Sequence, residues 1–332
     1  MAFDLTRTVK GLKLQEPFRI SGHVFETVPV LEVRLWDRQV FGEGEAAGVY
    51  YLDDLPPGMA ATLDRETVRI EAGITRDELR RLLPSGGTRN AVDCALWELE
   101  SKKSGKPVWQ LAGIEPPTPR VTTFTIGAED PAFVERKARE TYAGARALKL
   151  KLTGETDADI ERVRAARRTR PDVWIGVDAN QGFTPDTLEP LVPVLVECQV
   201  SLLEQPFKRG READMEGLKL PLPTAADESC LNLEELETLP GRFQVVNIKL
   251  DKCGGLTEGL LMARRARELG LDVMVGNMVG TSLAMAPAFV LGQLCDVVDL
   301  DGPVVLVEDR VPGVVYQDGT IDCPPEVWGA TP

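Results

Sequence analysis

Three carboxylates, Asp178, Glu204 and Asp227, stand at the ends of short apolar runs, in "VWIGVDAN", "VSLLEQP" and "LPTAADES". Two lysines flank them in the same way, Lys151 in "ALKLKL" and Lys249 in "FQVVNIKLD". Acidic groups gathered on one rim repel each other and take up protons unless a cation holds them. An all-oxygen set of three carboxylates suits Mg2+, and no thiolate or imidazole is arranged to favour zinc. A cation between two amines fits one reaction class. It polarises a substrate carboxylate and steadies the enolate formed when the neighbouring carbon loses its proton. One lysine removes that proton and the other returns one to the opposite face, so the carbon inverts, as in a racemase or epimerase. A single base would serve an elimination instead.

Lys149 lies two residues before Lys151, on the same face of a strand whose other positions are leucine. A lysine base must be neutral, against a free pKa of about 10.4. A second ammonium and a cation nearby both disfavour protonation, so Lys149 is expected to tune Lys151 and to face the substrate carboxylate. "DLDGP" puts Asp299 and Asp301 on one face at the end of the last run, a counter-charge for a substrate ammonium. Asn180 and Gln205 come just after two of the ligand candidates and are read as their supports. Thr125, Asn277 and Met278 occupy further run ends and are read as substrate contacts.

Eight Val/Ile/Leu-rich runs must position these groups: 121–127, 147–152, 173–180, 200–206, 222–229, 243–251, 271–277 and 296–303. Their polar end residues, Thr125, Lys151, Asp178, Glu204, Asp227, Lys249, Asn277 and Asp299, are spaced by 26, 27, 26, 23, 22, 28 and 22 residues. Helical stretches fill the intervals, so the pattern is βαβ, and eight units predict a closed barrel with its site at the C-terminal strand ends. Parallel barrel strands are covered on both faces, which sends the lysines of "LKLKL" inward and the leucines under helices. Before the Pro-rich "GIEPPTPR" (Gly113–Arg120) the pattern differs. "VPVLEVRLW" and "QVFGEGEA" alternate as a hairpin joined at Asp37–Arg38, and "TRNAVDCALWELESKKSG" predicts a helix with Thr88 as N-cap and Gly105 as its stop.

The totals narrow the partners. A chain of 332 residues with 43% hydrophobic content and a net charge of −14 repels phosphate backbones, and no basic run offsets that, so nucleic acid is excluded. No apolar stretch approaches the ~18 residues a membrane span needs. "MAFDLTRTVKG" lacks a signal h-region, so Cys94, Cys198, Cys230, Cys253, Cys295 and Cys323 read as reduced thiols in a cytoplasmic protein. The lone histidine, His23, rules out a His-rich metal site or a Ser-His-Asp triad in the body of the chain.

"LKLKL", "VDANQGF", "LLEQPF", "ADES" and "NIKLDKCGG", with "RNAVDCALWELESKKSGKPVWQLAG" upstream, resemble the muconate-lactonising subgroup of the enolase superfamily in order and spacing. The resemblance implies a modified TIM barrel, (β/α)7β, over 119–303, under an α+β capping domain over 1–115 that the segment 304–332 completes. It implies Mg2+ on Asp178, Glu204 and Asp227, with general acid/base roles for Lys151 and Lys249. "DLDGP" resembles the Asp-x-Asp motif with which dipeptide epimerases grip the free α-ammonium of an L-dipeptide, so inversion of the C-terminal residue's α-carbon is the expected activity. An N-succinyl- or N-acylamino acid racemase, or an o-succinylbenzoate synthase, would share the scaffold while leaving Asp299 and Asp301 dispensable. A Schiff-base aldolase would not need the three-acid arc, and a non-catalytic metal-binding protein would not need both lysines. In L-Ala-D/L-Glu epimerases a flexible loop after the first strand supplies an arginine for the glutamate. The corresponding loop, "PFRISGHVFE" (Pro17–Glu26), puts His23 there in an ungapped match and Arg19 out of register, which opens other dipeptides, apolar ones included. A second cap loop, "GVYYLDD" (Gly48–Asp54), is expected to face the site through Tyr50 or Tyr51. Family members often assemble, so a homo-oligomer is expected, although no motif marks an interface.

Overall fold

The structure, a computed structural model, describes residues 2–20 and 23–330; the side chains of Ile20 and His23 fall outside the described residues. The chain opens with a three-stranded antiparallel sheet of β1 (Asp4–Ile20), β2 (His23–Asp37) and β3 (Val40–Ala46). Leu31, Val33 and Leu35 alternate inward from β2 onto helices α1 (Pro56–Glu71), α2 (Arg76–Leu82) and α3 (Gly87–Ser104). Burial of each such side chain contributes on the order of 1.5–3 kcal/mol. Gly42 and Gly44 of β3 let α3 lie directly on the strand, since a Cβ at either would sit 2.0 Å from the carbonyl oxygen of Ala95 or Ala91.

Two expectations for this region change. Helix α3 begins at Gly87 rather than after Thr88, because Gly86 (φ 135°) turns the chain early. The Asp54 carboxylate then caps the end by accepting from Gly87 N at 2.7 Å. Gly105 (φ 69°) does stop the helix. The segment Pro17–Glu26 is not a loop over most of its length but the far end of a long hairpin. After a register shift between Lys13 and Phe18, Phe18 pairs with Phe25 and Arg19 with Val24. Pro17 sits within the shift, where a residue without an N–H disrupts no ladder.

The eight expected runs each contain one parallel strand: β5 (Thr123–Ile126), β6 (Ala147–Lys151), β7 (Trp174–Asp178), β8 (Leu202–Glu204), β9 (Thr224–Ala226), β10 (Val245–Lys249), β11 (Asp272–Gly276) and β12 (Val297–Val298). They neighbour one another in chain order. Leu148, Leu150, Val177, Val246, Ile248 and Val275 face outward into the main core. The alternate positions face inward in layers. Trp174, Leu202, Ala225, Val245, Met274 and Val297 plug the interior with an apolar layer, and the polar residues lie above it.

Between β5 and β12 there is no strand ladder, and side chains close the gap. Leu300 N donates to Thr122 Oγ1 at 3.0 Å, Thr123 Oγ1 donates to Asp299, and Thr125 N donates to Asp301 Oδ2 at 2.6 Å. Beyond the barrel, β13 (Val315–Gln317) and β14 (Thr320–Asp322) form a small sheet with β4 (Arg120–Val121). No helix among the described residues is long and apolar enough to cross a membrane.

Candidate active site

Asp178 and Glu204 are the last residues of β7 and β8, and Asp227 follows β9 directly. One oxygen from each lies within 4.8 Å of the others, and all three residues are buried. Neighbours fix each carboxylate. Asp178 Oδ1 accepts from Asn180 N at 2.9 Å, and Glu204 Oε1 accepts from Asn247 Nδ2 at 2.7 Å. Asp227 accepts from Lys249 Nζ at 2.7 Å on Oδ2 and from Lys252 Nζ at 2.6 Å on Oδ1. Lys252 also donates to the carbonyls of Cys230 and Asn247 at 3.1 and 3.0 Å, so one buried ammonium knits three segments together.

The two lysines singled out as acid/base candidates stand on β6 and β10, the second and sixth of eight strands, and so on opposite sides of the mouth. Lys151 Nζ donates to Asp178 Oδ2 at 2.6 Å. Lys149 sits one pleat deeper and is 3% exposed. Its ammonium lies 2.8 Å from Asp299 Oδ2, 2.6 Å from Glu204 Oε2 and 3.3 Å from Asp178 Oδ2.

Electrostatics follow from this crowding. Burial works against ionisation of Asp178, but Lys151 and Lys149 overcome it and hold the carboxyl at about 2. Asp227 is likewise buried, and Lys249 and Lys252 keep it well below the usual carboxylate range. Burial and then the charge of Asp178 push Glu204 up to about 7. Burial opposes the Lys149 charge, yet Asp299, Glu204 and Asp178 hold its pKa well above the ordinary lysine value. Asp301 is pushed up to about 6 by burial and by Asp299.

The donor set fits a hard cation. Glu204 Oε2 meets Lys149 as an ion pair without hydrogen-bond geometry, and Asn180 Oδ1 and Glu228 Oε2 are buried with no hydrogen-bond partner. A hydrated divalent ion brings both positive charge and water donors to such oxygens.

Two cavities meet at the lysines. The larger, of about 170 Å³, opens toward the cap and is lined in part by Lys151, Lys249, Asn277 and Met278. The smaller, of about 60 Å³, reaches the β5/β12 gap and is lined in part by Thr125, Lys149, Asp299 and Asp301. Asn277 Nδ2 donates to the Asp299 carbonyl at 2.6 Å. Tyr50 and Tyr51 both line the larger cavity, as does Asn180. Gln205 is set back from it: Oε1 accepts from Asp227 N at 2.9 Å and Ser229 N at 3.0 Å, which shapes the turn carrying Asp227. Arg19 pairs with Glu129 at 2.9 Å and its carbonyl accepts from Ala128 N at 3.1 Å, tying the hairpin to the loop after β5. The His23 side chain lies outside the described residues.

Asn247, Lys252 and Glu228 were not singled out in the sequence. The first carried a usable signal, since "NIK" repeats the spacing of "KLK" and so puts Asn247 one pleat below Lys249.

Two family models match the chain. One, the mandelate racemase / muconate lactonizing enzyme N-terminal domain, covers residues 2–113, and the other, enolase C-terminal domain-like, covers residues 133–327. The L-Ala-D/L-Glu epimerase of Escherichia coli is 35% identical over 320 residues, which is 95% of this chain and 99% of that protein. The N-acetyl-D-glutamate racemase of a Pseudoalteromonas species is 39% identical over 242 residues, covering 73% of this chain and 76% of that one. Among solved structures, the dipeptide epimerase of Methylococcus capsulatus, complexed with Mg and L-Arg-D-Lys, superposes with a TM-score of 0.89 at 29% identity over 97% of each chain. The eight-stranded barrel, its sheet-and-helix cap and these matches agree, and the chain belongs to the mandelate racemase / muconate lactonizing enzyme family of the enolase superfamily.

Proposed function

We propose that this chain is a Mg2+-dependent dipeptide epimerase that inverts the α-carbon of the C-terminal residue of an L-dipeptide. The observation that carries this reading is the placement of Lys151 and Lys249 on opposite sides of one carboxylate floor, with Asp299 and Asp301 beside it. Asp178, Glu204 and Asp227 hold the ion, which when bound polarises the substrate carboxylate and lowers the cost of the charge that builds as the α-proton leaves. Lys151 and Lys249 meet the α-carbon from opposite faces; the one that is neutral takes the proton and becomes an ammonium, and the other, already protonated, delivers a proton to the planar enolate. Their Nζ atoms are aimed by Asp178 and Asp227, so the geometry is set before substrate arrives. Asp301, with Asp299 behind it, offers the negative charge that a free α-ammonium needs.

Lys149 is assigned a positioning role, because its charge is taken up by Asp299, Glu204 and Asp178. Thr125 and Asn277 steady the acid pair, Met278 lines the substrate cavity, and Asn180 and Gln205 support the turns that carry Asp178 and Asp227. We take residues 1–115 with 304–332 as the cap and 119–303 as the barrel. In support, Val307 N donates to Lys13 O at 2.9 Å and Trp328 Nε1 to Glu43 O at 3.2 Å.

The Pseudoalteromonas relative favours a second reading, an N-acylamino acid racemase. Incubating the Mg2+-loaded protein in D2O with pooled L-dipeptides and, separately, with pooled N-acylamino acids separates the two. Deuterium at the α-carbon of the C-terminal residue, with appearance of the D-epimer, is the expected result. Uptake confined to N-acylamino acids would transfer the assignment to the second reading, and silence from both pools would refute it.

A further inference from the structure

Resting on that reading, we propose that the residue inverted carries an uncharged, apolar side chain, aromatic or branched aliphatic, selected by Phe18, Phe25 and Tyr50. The four substituents of the reacting carbon leave one route open. The proton points at a lysine, the carboxylate goes to the floor, and the amide nitrogen leads toward Asp299 and Asp301 in the smaller cavity. The side chain must enter the larger cavity.

The two ends of that cavity differ. Its ionisable residues other than tyrosine, Lys151, Lys249, Asp227 and Glu228, gather at the floor. The cap end is made by Phe18, Phe25, Val28, Pro29, Tyr50 and Leu55. Among the described lining residues no lysine or arginine stands there, and Arg19, next to Phe18 on the hairpin, is paired with Glu129. Phe18 and Phe25 are direct partners across β1 and β2. The Phe25 ring meets Tyr50 edge-on, with centroids 5.3 Å apart, and Tyr50 meets Tyr51 at 5.2 Å. The result is a braced aromatic surface.

A glutamate carboxylate at the cap end would be removed from water with no cation among the described residues there, and it would share the cavity with Asp227 and Glu228. A lysine or arginine side chain would have to fold back to the floor to find Glu228. An apolar group meets neither obstacle. Cavities of about 150 Å³ lined by apolar side chains accept benzene, and the whole cavity, floor and cap end together, is about 170 Å³.

The test is kcat/KM for L-Ala-L-Xaa dipeptides with Xaa as Leu, Phe, Ala, Glu and Lys, each with Mg2+, repeated with an N-terminal L-leucine. Leu and Phe are expected to exceed Glu and Lys by about tenfold or more. Phe25→Ala should shrink the ratio of L-Ala-L-Phe to L-Ala-L-Ala about tenfold, mainly through KM, and Phe25→Leu should keep most of it. Preference for Glu or Lys in the wild-type protein would overturn the proposed specificity while leaving the epimerase reading intact. Exchange in no dipeptide would remove the reading itself, and the specificity with it.

Discussion

The floor and the cap end of one cavity are built on opposite principles. At the floor, buried carboxylates and ammonium groups interlock through short hydrogen bonds, and Lys249 and Lys252 both join the turn after β9 to β10. At the cap end, half-exposed aromatic and aliphatic side chains from a hairpin and a short loop supply a surface with little to pair. Removing one partner from a buried charge network leaves another charge stranded, which is costly. Trimming an apolar wall changes only which side chain fits. The difference teaches that the chemistry and the substrate preference of this fold can vary separately, because they are carried by different elements and different physics.

Three perturbations should break this contrast or sharpen it, and the largest effect comes from the ion. Chelation with EDTA should abolish α-proton exchange and lower Tm, and added Mg2+ should restore both; activity that survives exhaustive chelation would remove the proposed role of the three carboxylates. Next is Lys252→Met, which strips donors from the Asp227 carboxylate and from the carbonyls of Asp227, Cys230 and Asn247 without touching substrate. It should cost about 3 kcal/mol of stability, read as a fall in Tm or in the denaturation midpoint, whereas an unchanged Tm would mean that the floor is not interlocked. Smaller again is Asp301→Asn, which keeps an acceptor for Thr125 N but removes the charge. KM for dipeptides should rise roughly tenfold, the worth of one charged hydrogen bond, with kcat less affected. An equal loss with N-acylated substrates would argue against an ammonium contact.

The smallest effect lies at the joint between cap and barrel. Glu45 of β3 accepts from Thr281 N at 2.7 Å and from Thr281 Oγ1 at 2.8 Å, at the start of the helix Ser282–Gly292. Burial pushes its carboxyl up to about 7 from an ordinary 4.5. The folded state therefore holds this proton more tightly than the unfolded chain. Its contribution is fully present below about 4.5 and is lost as the pH rises through about 7. Glu45→Gln should flatten the fall of Tm across that window and stabilise the protein by about 1 kcal/mol above it. A wild-type-like slope in the variant would show that another group titrates there.

The barrel was legible because polar residues interrupt apolar runs at intervals of one βα unit, and only strand ends around a shared rim explain that period. Asp178, Glu204, Asp227, Lys151 and Lys249 converge for that reason. Asn247 and Lys252 were less visible, because Asn247 meets Glu204 across 43 residues of chain and only the alignment of β8, β9 and β10 side by side brings them together. Lys252 reads in isolation as one more surface charge. In the cap, the family resemblance gave Pro17–Glu26 as a loop, whereas Phe18 and Phe25 pair across the strands there. Gly86 hid the true start of α3 behind a threonine that would have made a good cap.

The central claim is that two lysines act from opposite faces, and single-lysine variants test it most directly. Each epimer of a substrate dipeptide would be incubated with Lys151→Ala and with Lys249→Ala in D2O, and deuterium uptake and inversion followed by NMR. Each variant should lose inversion while one epimer still exchanges its α-proton, a different epimer for each variant. Either variant still converting one epimer into the other would contradict the two-lysine account.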